Sequence, residues 1–373
     1  MLKEERMEKV QTVLGLIEAD SLGITLPHEH LLKTAKSLLV IPSEACEQEL
    51  AYQPVSLENL NWIRHHYARN LDNLQLQDEQ MMIDEVMFFK RAGGRTIVEL
   101  TCTSSSGRDP LGLTRLAQAT GLNIIMGTGF FEIFTGYEVS NVADRTEEDL
   151  ADQMVQEIMI GVADTGVRAG IIGEIGMAWP LSDIMRRVLR ASAHAQRHTG
   201  VALNIHLPLR ASTNFPRQKD HEDVVMEIIQ TLDKAGSDLS RTIISHVDIC
   251  CFTPAFRRTL AETGCYLEYD CFGVESYLDE NFCVLDTPND AQRINEIMQL
   301  VDEGYLNQIL VSSDHWTKHM LRHYGGWGYD HILTSVVPLM RHKGMSDEQI
   351  NTLLMENPKR VLPFTPVEEY GNQ

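Results

Sequence analysis

The sequence predicts an α/β protein built on a (β/α)₈ barrel, a TIM barrel with an extended loop after strand 1. The first observation is a repeated order of a short β-branched run, a polar loop and a helical pattern. The second is that eight such runs occur in a chain of 373 residues. The third is that several runs are almost continuously apolar, as expected of strands covered on both faces. Together these favour a parallel barrel.

The eight predicted strands share β-branched and apolar residues. They cover residues 23–28, 95–101, 122–128, 169–176, 201–206, 241–247, 264–270 and 308–314. Runs such as RTIISH from Arg241 and ILVSSD from Ile309 are typical of parallel strands. An open doubly wound sheet is the alternative, but no glycine-rich phosphate-binding motif follows an early strand, so a nucleotide-binding fold gains no support.

Between the strands lie helical patterns that mostly end at a glycine. They cover residues 78–92, 181–199, 223–235, 253–263, 289–303 and 346–356. The longest insertion, residues 31–77, separates strand 1 from its helix and is expected to cover one mouth of the barrel. Because no linker-like stretch divides the chain, we expect residues 1–373 to form a single domain.

Charge and composition narrow the range of partners. The chain has 32 Lys and Arg residues against 53 Asp and Glu residues, a formal net charge of −21. Nucleic-acid binders need a basic face, so we expect no nucleic-acid partner. No apolar run is long enough to span a membrane, and the first residues lack the apolar core of a signal peptide. We therefore expect a small-molecule substrate and no membrane partner.

The cysteines point to a reducing compartment. There are seven, an odd number, and none forms a C-x-x-C pair. Reduced, buried thiols in a cytosolic protein are the simplest explanation. The sequence thus predicts a cytoplasmic location.

Metal-ligand residue types stand at the ends of five predicted strands. They are His28 and His30 at strand 1, Glu174 at strand 4, His206 at strand 5, His246 at strand 6 and Asp314 at strand 8. In barrel enzymes the active site forms where strands end and the following loops begin. Imidazole and carboxylate groups suit zinc, manganese, iron or cobalt. Residues i and i+2 of a strand share a face, so His28 and His30 can reach one ion.

Each of these residues taken alone also has an ordinary structural explanation. An isolated H-x-H pair is a weak metal signal, Glu174 could be a buried carboxylate with a backbone partner, and Asp314 could cap the next helix. Their occurrence at five strand ends favours the metal interpretation. His194 and His198 have helical i, i+4 spacing but lack the glutamate of H-E-x-x-H, so we interpret them as ordinary helix residues.

The run TLPHEHL, which contains His28 and His30, resembles the opening motif of the phosphotriesterase family of the amidohydrolase superfamily. The order of His-x-His, a strand-4 carboxylate, His, His and Asp matches that family at every metal position. The match is closest to the phosphotriesterase-related branch and covers nearly the whole chain. Its further features are KVQTVLGL from Lys9, GIIGEIG around Glu174, CYLEYD ending at Asp270 and YGGWGYDHILT from Tyr324. The resemblance implies two divalent metal ions, with Zn²⁺ first and Mn²⁺, Co²⁺ or Fe²⁺ as alternatives, and a homodimer.

One position departs from the organophosphate-hydrolysing members, which use a carboxylated lysine as the bridging ligand. The matching residue here is Glu174, so phosphotriester hydrolysis is in doubt while a bridging carboxylate is kept. The loop after strand 5 contains Arg210 and Arg217, which either bind an anionic substrate or are solvated.

The resulting hypothesis is a binuclear hydrolase. One ion is held by His28, His30 and Asp314, the other by His206 and His246, and Glu174 and a hydroxide bridge them. The hydroxide attacks the carbonyl of an N-acyl amide such as an N-acyl taurine, of a carboxylic ester or of a lactone. Asp314 is the catalytic proton acceptor, and Asp270 orients ligands or relays protons. A phosphotriester hydrolase is the alternative reaction, and a non-catalytic metal-binding protein is the alternative of another class.

Overall fold

The computed structural model describes residues 8–131, 142–209, 218–251, 253–275 and 287–365. In these ranges eight parallel strands form one sheet that curls into a nearly closed barrel, which confirms the predicted fold. The barrel strands β1–β8 are Thr25–Glu29, Thr96–Glu99, Asn123–Thr128, Ile171–Gly176, Leu203–His206, Thr242–Ile244, Tyr266–Tyr269 and Ile309–Val311.

The first and last strands meet where the sheet closes on itself. The backbone N–H of Asp314 donates to the carbonyl of His28 over 3.2 Å. The backbone N–H of His28 in turn donates to Oγ of Ser312, also over 3.2 Å. Both bonds lie at the carboxyl-terminal mouth, so closure of the barrel also places the end of β1 beside the end of β8.

The buried strand residues divide by the two-residue period of a strand. Ile97, Ile309 and Val311 belong to the large core between strands and helices. Their neighbours Val98 and Leu310 belong to a separate cluster inside the barrel. That inner cluster also contains Val10, from the hairpin Lys9–Glu18, Leu22, which follows the hairpin, and Val361 and Leu362, at the end of the helix Asn357–Val361. Apolar packing therefore fills one part of the barrel interior, and polar residues are left to the opposite mouth.

Seven helices follow the strands and surround the barrel. Helices α1–α7 are Glu79–Arg91, Pro110–Thr120, Glu147–Met159, Asp183–Thr199, Gln218–Lys234, Pro254–Glu262 and Asp290–Asp302. Side-chain caps fix several of their starts, as at Asp78, whose carboxylate accepts from the backbone N–H of Met81. The helix predicted over residues 223–235 begins five residues earlier, at Gln218.

Apart from short 3-10 turns, shorter elements complete the described chain. They are the helices Ala45–Gln48, Leu60–His65, Val247–Cys250, Val337–Lys343, Asp347–Asn351 and Asn357–Val361, π-helical turns at Ile332–Val336 and Thr352–Glu356, and two antiparallel pairs, Lys9–Thr12 with Gly15–Glu18 and Lys33–Thr34 with Gln75–Leu76. No helix in the described ranges is long and apolar enough to cross a membrane.

Two strands end three residues earlier than the sequence predicts. The sixth ends at Ile244 rather than at residue 247, and the eighth ends at Val311 rather than at residue 314. In both cases the chain then turns through a left-handed residue, His246 with φ +60° and Asp314 with φ +44°. Left-handed conformations are uncommon outside glycine and concentrate at functional sites. The alternation of apolar residues in a strand does not indicate such a turn. The predicted ends of these two strands were therefore wrong, although His246 and Asp314 had been predicted as candidate ligands.

The insertion over residues 31–77 packs against the loop that follows β8. Nη2 of Arg64 donates to the carbonyl of Gly325 over 2.6 Å. Nζ of Lys318 forms an ion pair with Asp72 over 2.7 Å. The insertion therefore lies against the carboxyl-terminal mouth, where the sequence predicts a covering segment.

Candidate metal centre

The six predicted ligands come from five strands and meet at the carboxyl-terminal mouth. His28, His30, Glu174, His206 and His246 are buried, and the side chain of Asp314 is 14% exposed. Three groups each have possible ligand atoms within 4.8 Å of one another. They are His28, His30 and Glu174; Glu174, His206 and His246; and His28, His246 and Asp314. Since the groups share members, all six belong to one cluster.

The first half of the cluster joins the β1 histidines to the two carboxylates. Nε2 of His30 lies 3.3 Å from Oε1 of Glu174 and 3.2 Å from Oδ1 of Asp314. Nε2 of His28 lies 3.3 Å from Oε2 of Glu174 and 3.7 Å from Oδ1 of Asp314. Two imidazole nitrogens thus face the same pair of carboxylates.

The second half contains the other two histidines. The rings of His206 and His246 have centroids 4.3 Å apart, and Nε2 of His246 lies 3.7 Å from Oε2 of Glu174. Glu174 therefore contacts histidines of both halves, through Oε1 on His30 and through Oε2 on His28 and His246. This is the position that a carboxylate bridging two ions would take.

The donor atoms fit divalent metal ions. Nε2 of His28, Nε2 of His246, Oε2 of Glu174 and Oδ1 of Asp314 are buried and make no hydrogen bond with any residue that the structure describes. Leaving buried polar atoms unsatisfied costs free energy, so native proteins usually provide a partner. Four such atoms converge here, and nitrogen and carboxylate oxygen are the donors that zinc and similar ions accept.

Neighbouring residues orient the histidines. Nδ1 of His246 lies 2.9 Å from Oδ1 of Asp270, as the sequence predicts for an orienting carboxylate. Nδ1 of His28 lies 2.9 Å from Oε2 of Glu268, a residue that the sequence analysis missed. Because a ring nitrogen that donates to a carboxylate keeps its proton, the Nε2 lone pair is left for a metal. The sequence did contain a signal for this residue, because Glu268 is the charged residue of the strand Tyr266–Tyr269 and lies two positions before Asp270.

Burial and mutual charge shift the pKa values of the metal-free site. Burial alone would lower the pKa of His246, but the Asp270 carboxylate raises it to about 10. Burial lowers the pKa of His206 to about 3, and the charge of His246 adds to this effect. Burial would raise the pKa of Glu174, but its contacts with His246 and His28 hold it well below its usual value. The site therefore holds Glu174 as an anion and His206 as a neutral imidazole.

A second carboxylate that the sequence analysis missed is Glu29, between the two β1 histidines. Its Oε1 accepts from the backbone N–H of Ser313, and its Oε2 accepts from the backbone N–H of His315, each over 2.9 Å. The two donors are the residues on either side of Asp314, so Glu29 stabilises the left-handed turn at Asp314. Burial raises the pKa of Glu29 to about 8.

Other predicted candidates lie elsewhere. Nδ1 of His194 lies 3.4 Å from Glu147, in the partly exposed contact between two outer helices, as expected of an ordinary helix residue. Arg210 and Arg217, offered as anion ligands or solvated side chains, lie outside the described residues.

A parallel (β/α)₈ barrel with four histidines and two carboxylates at its carboxyl-terminal mouth is the architecture of a metal-dependent hydrolase. The model of the Phosphotriesterase family matches residues 8–362, and the chain belongs to this family.

Relatives and solved structures agree with this assignment. The N-acetyltaurine hydrolase of Dictyostelium discoideum is 40% identical over 379 residues, covering 96% of this chain and 98% of the relative. The N-acetyltaurine hydrolase of Homo sapiens is 41% identical over 357 residues, covering 95% and 98%. A resiniferatoxin-binding protein from Rhodobacter sphaeroides superposes with a TM-score of 0.87 at 34% identity, covering 95% of each chain. The phosphotriesterase homology protein of Escherichia coli, complexed with phosphate, superposes with a TM-score of 0.70 at 25% identity. The match covers 92% of this chain and 99% of that protein.

Proposed function

We propose that this protein is a binuclear metal-dependent hydrolase that cleaves the carbonyl–nitrogen bond of an N-acyl amide, with N-acyl taurines as the first substrates to test. The observation that carries the proposal is the cluster of six nitrogen and carboxylate ligands, in which Glu174 contacts histidines of both halves. The substrate class is supported by the relatives of about 40% identity that are named N-acetyltaurine hydrolases and align over nearly the whole chain. Carboxylic esters and lactones present the same reacting carbonyl.

The ligands divide between two ions. We assign His28, His30 and Asp314 to one ion and His206 and His246 to the other. Glu174 contacts histidines on both sides, so its carboxylate would be the ligand common to the two ions. Zn²⁺ is the first expectation from the donor set, with Mn²⁺, Co²⁺ and Fe²⁺ as alternatives. Zinc, a cytoplasmic location and a homodimer remain predictions.

When bound, the ions lower the pKa of a water molecule towards neutrality and polarise the substrate carbonyl. The chain's own residues supply the proton transfers. Of the two carboxylates in the cluster, Asp314 is the more exposed, with 14% of its side chain accessible against 2% for Glu174. It can therefore reach a molecule in the mouth. Burial would raise its pKa, but His30 and His28 hold it below its usual value, so it is available as a base. Asp314 accepts the proton of the attacking water and delivers it to the amine that leaves.

Glu268 and Asp270 have a positioning role. Each carboxylate lies 2.9 Å from an Nδ1 atom, on His28 and His246 respectively. These contacts fix the ring planes before substrate arrives. Ligand geometry is therefore set by the protein and does not need to be assembled during the reaction.

A substrate panel with metal analysis tests the proposal. The protein is stripped with a chelator, reloaded with zinc or manganese, and assayed with N-acetyltaurine, naphthyl acetate, lactones and paraoxon. We expect two metal equivalents per chain, chelator-sensitive turnover, and faster cleavage of amides or esters than of the phosphotriester. Faster paraoxon cleavage would favour the phosphotriester alternative. Full metal occupancy without turnover of any of these substrates would favour a non-catalytic metal-binding protein.

A further inference from the structure

Lys33 places a buried ammonium group against the candidate metal centre. It lies three residues after His30, in the short strand Lys33–Thr34, and is 8% exposed. Its Nζ is 3.2 Å from Nε2 of His30. In the described part of the chain, no other Lys or Arg side chain bonds to the six candidate ligands, and Lys33 forms no ion pair with a carboxylate.

The contact with His30 conflicts with metal binding. An ammonium group is always a donor, so Nε2 of His30 accepts and its Nδ1 carries the proton, 2.9 Å from Oγ1 of Thr101. The Nε2 lone pair that Lys33 uses is the one that His30 would give to a metal. Once the site is loaded, the ammonium group loses that acceptor. A buried ammonium group without a hydrogen-bond acceptor is unfavourable, so Lys33 is then free to bond to an anionic oxygen in the mouth.

The rings of Phe131 and Trp316 flank this cation. Nζ of Lys33 lies 5.4 Å from the ring centroid of Phe131 and 5.5 Å from that of Trp316, distances at which a cation is attracted to an aromatic face. Neither ring accepts a strong hydrogen bond. The Phe131 ring is also 5.2 Å from the ring of His206, a proposed ligand of the second ion. Both aromatic side chains are partly exposed, so a molecule in the mouth can contact them.

We infer that Lys33 binds the anionic group of the substrate, such as the sulfonate of an N-acyl taurine, while the acyl carbonyl lies at the ions. This inference rests on the proposed function. A molecule along the Phe131 ring would place one end near His206 and the other near Lys33. The ammonium group would then exchange the His30 nitrogen for a charged oxygen, which is a stronger acceptor. Lys33 is on this account a specificity residue for acyl amides with an acidic amine half.

Binding of an unreactive analogue tests the inference without turnover. The probe is 4-oxopentane-1-sulfonate, which replaces the amide N–H of N-acetyltaurine by CH₂, titrated by calorimetry into the metal-loaded protein. Lys33→Met keeps the apolar stem and removes the charge, Lys33→Arg keeps the charge, and Lys36→Met changes an exposed lysine three residues along as the matched control. We expect Lys33→Met to weaken binding by roughly 10-fold or more, because bonds to charged groups contribute that much. Lys33→Arg should recover part of the loss, and Lys36→Met should bind as the wild type does.

A kinetic comparison separates the inference from the proposed function. The quantity is the KM of N-acetyltaurine divided by that of the neutral N-propylacetamide, which should rise about 10-fold in Lys33→Met at unchanged metal content. Sulfonate binding that depends on Lys33, in a protein that does not cleave N-acetyltaurine, would reject the function and support the inference. Cleavage of N-acetyltaurine with unchanged KM and unchanged sulfonate binding in Lys33→Met would overturn the inference and leave the function standing. Absence of sulfonate binding to the wild type would also overturn it.

Discussion

At the scale of single residues, the chemistry depends on which ring nitrogen of each histidine is free. Asp270 and Glu268 occupy the Nδ1 side of His246 and His28, so both rings direct Nε2 towards Glu174. The sequence could predict Asp270 because it ends an apolar strand. Glu268 lies inside the strand, and only the fold reveals that it faces the barrel interior beside His28.

Asp270→Asn is expected to weaken metal binding. The amide is neutral, so His246 loses the anion that lies 2.9 Å from its Nδ1, and His28 loses the one that lies 3.2 Å from its Nδ1. Loss of such an outer partner typically costs 10–100-fold in metal affinity, and we expect about that range. Competition with a fluorescent chelator measures it. Asp302→Asn, at an exposed position in α7, is the matched control, and wild-type affinity in Asp270→Asn would contradict the assigned role.

Asp314→Asn is expected to abolish proton transfer. The amide oxygen still permits metal ligation, but it does not take a proton at neutral pH. Removal of a general base typically costs 10²–10⁴-fold, so kcat should fall by roughly 100-fold or more in protein shown by metal analysis to be loaded. Turnover close to that of wild type in a fully loaded variant would reject Asp314 as the proton acceptor.

At the scale of elements, the sequence predicted all eight strands but misplaced the ends of β6 and β8. The apolar pattern of the sequence indicates the strands but not the conformation of the residues that follow them. The side chains of His246 and Asp314 are oriented by left-handed backbone turns. Glu29 holds one of those turns through backbone N–H groups that are distant in sequence. Such contacts depend on closure of the barrel, which no local pattern encodes.

One buried ion pair fixes the end of β7. Nε of Arg293, on α7, donates to Oδ2 of Asp248 over 2.6 Å, and the same oxygen accepts from the backbone N–H of Cys271 over 3.2 Å. Arg293 and Asp248 are fully buried. Since Cys271 follows Asp270, this pair positions the carboxylate that orients His246. Sequence reasoning did not identify it.

Arg293→Met is therefore expected to destabilise the protein strongly. It leaves the Asp248 carboxylate buried without its main partner, and breaking such a pair typically costs about 3–5 kcal/mol of unfolding free energy. Urea titration measures the change. Arg258→Met removes an exposed pair with Glu303 and should cost far less. Equal losses in the two variants would contradict the role given to the buried pair.

At the scale of the whole molecule, the barrel separates stability from chemistry. The hairpin Lys9–Glu18 and the helix Asn357–Val361 contribute to the inner apolar cluster, while the six candidate ligands occupy the carboxyl-terminal mouth. The sequence predicted this division because ligand-type residues follow strands and apolar residues form them. A single domain over residues 1–373 remains a prediction, which one cooperative transition in calorimetry would support.

The metal-free protein is expected to lose stability as pH rises from 6.5 towards 9. The folded state raises the pKa of His246 from 6.5 to about 10, so this contribution is complete below pH 6.5 and is lost as pH rises to about 10. The folded state also raises the pKa of Glu29, from 4.5 to about 8, so the contribution of Glu29 to stability likewise falls as pH rises. The Tm of the chelated protein should fall over this window, and His246→Asn should reduce the slope. His194→Asn is the control; a Tm that rises with pH would contradict the account.

The most direct measurement is anomalous diffraction from crystals of the zinc-loaded protein, recorded at the zinc absorption edge. We expect two peaks at the carboxyl-terminal mouth, one beside His28, His30 and Asp314, the other beside His206 and His246, with Glu174 between them. A single peak, peaks elsewhere in the molecule, or a fully soaked crystal without a peak at this mouth would contradict the binuclear centre on which the proposed function depends.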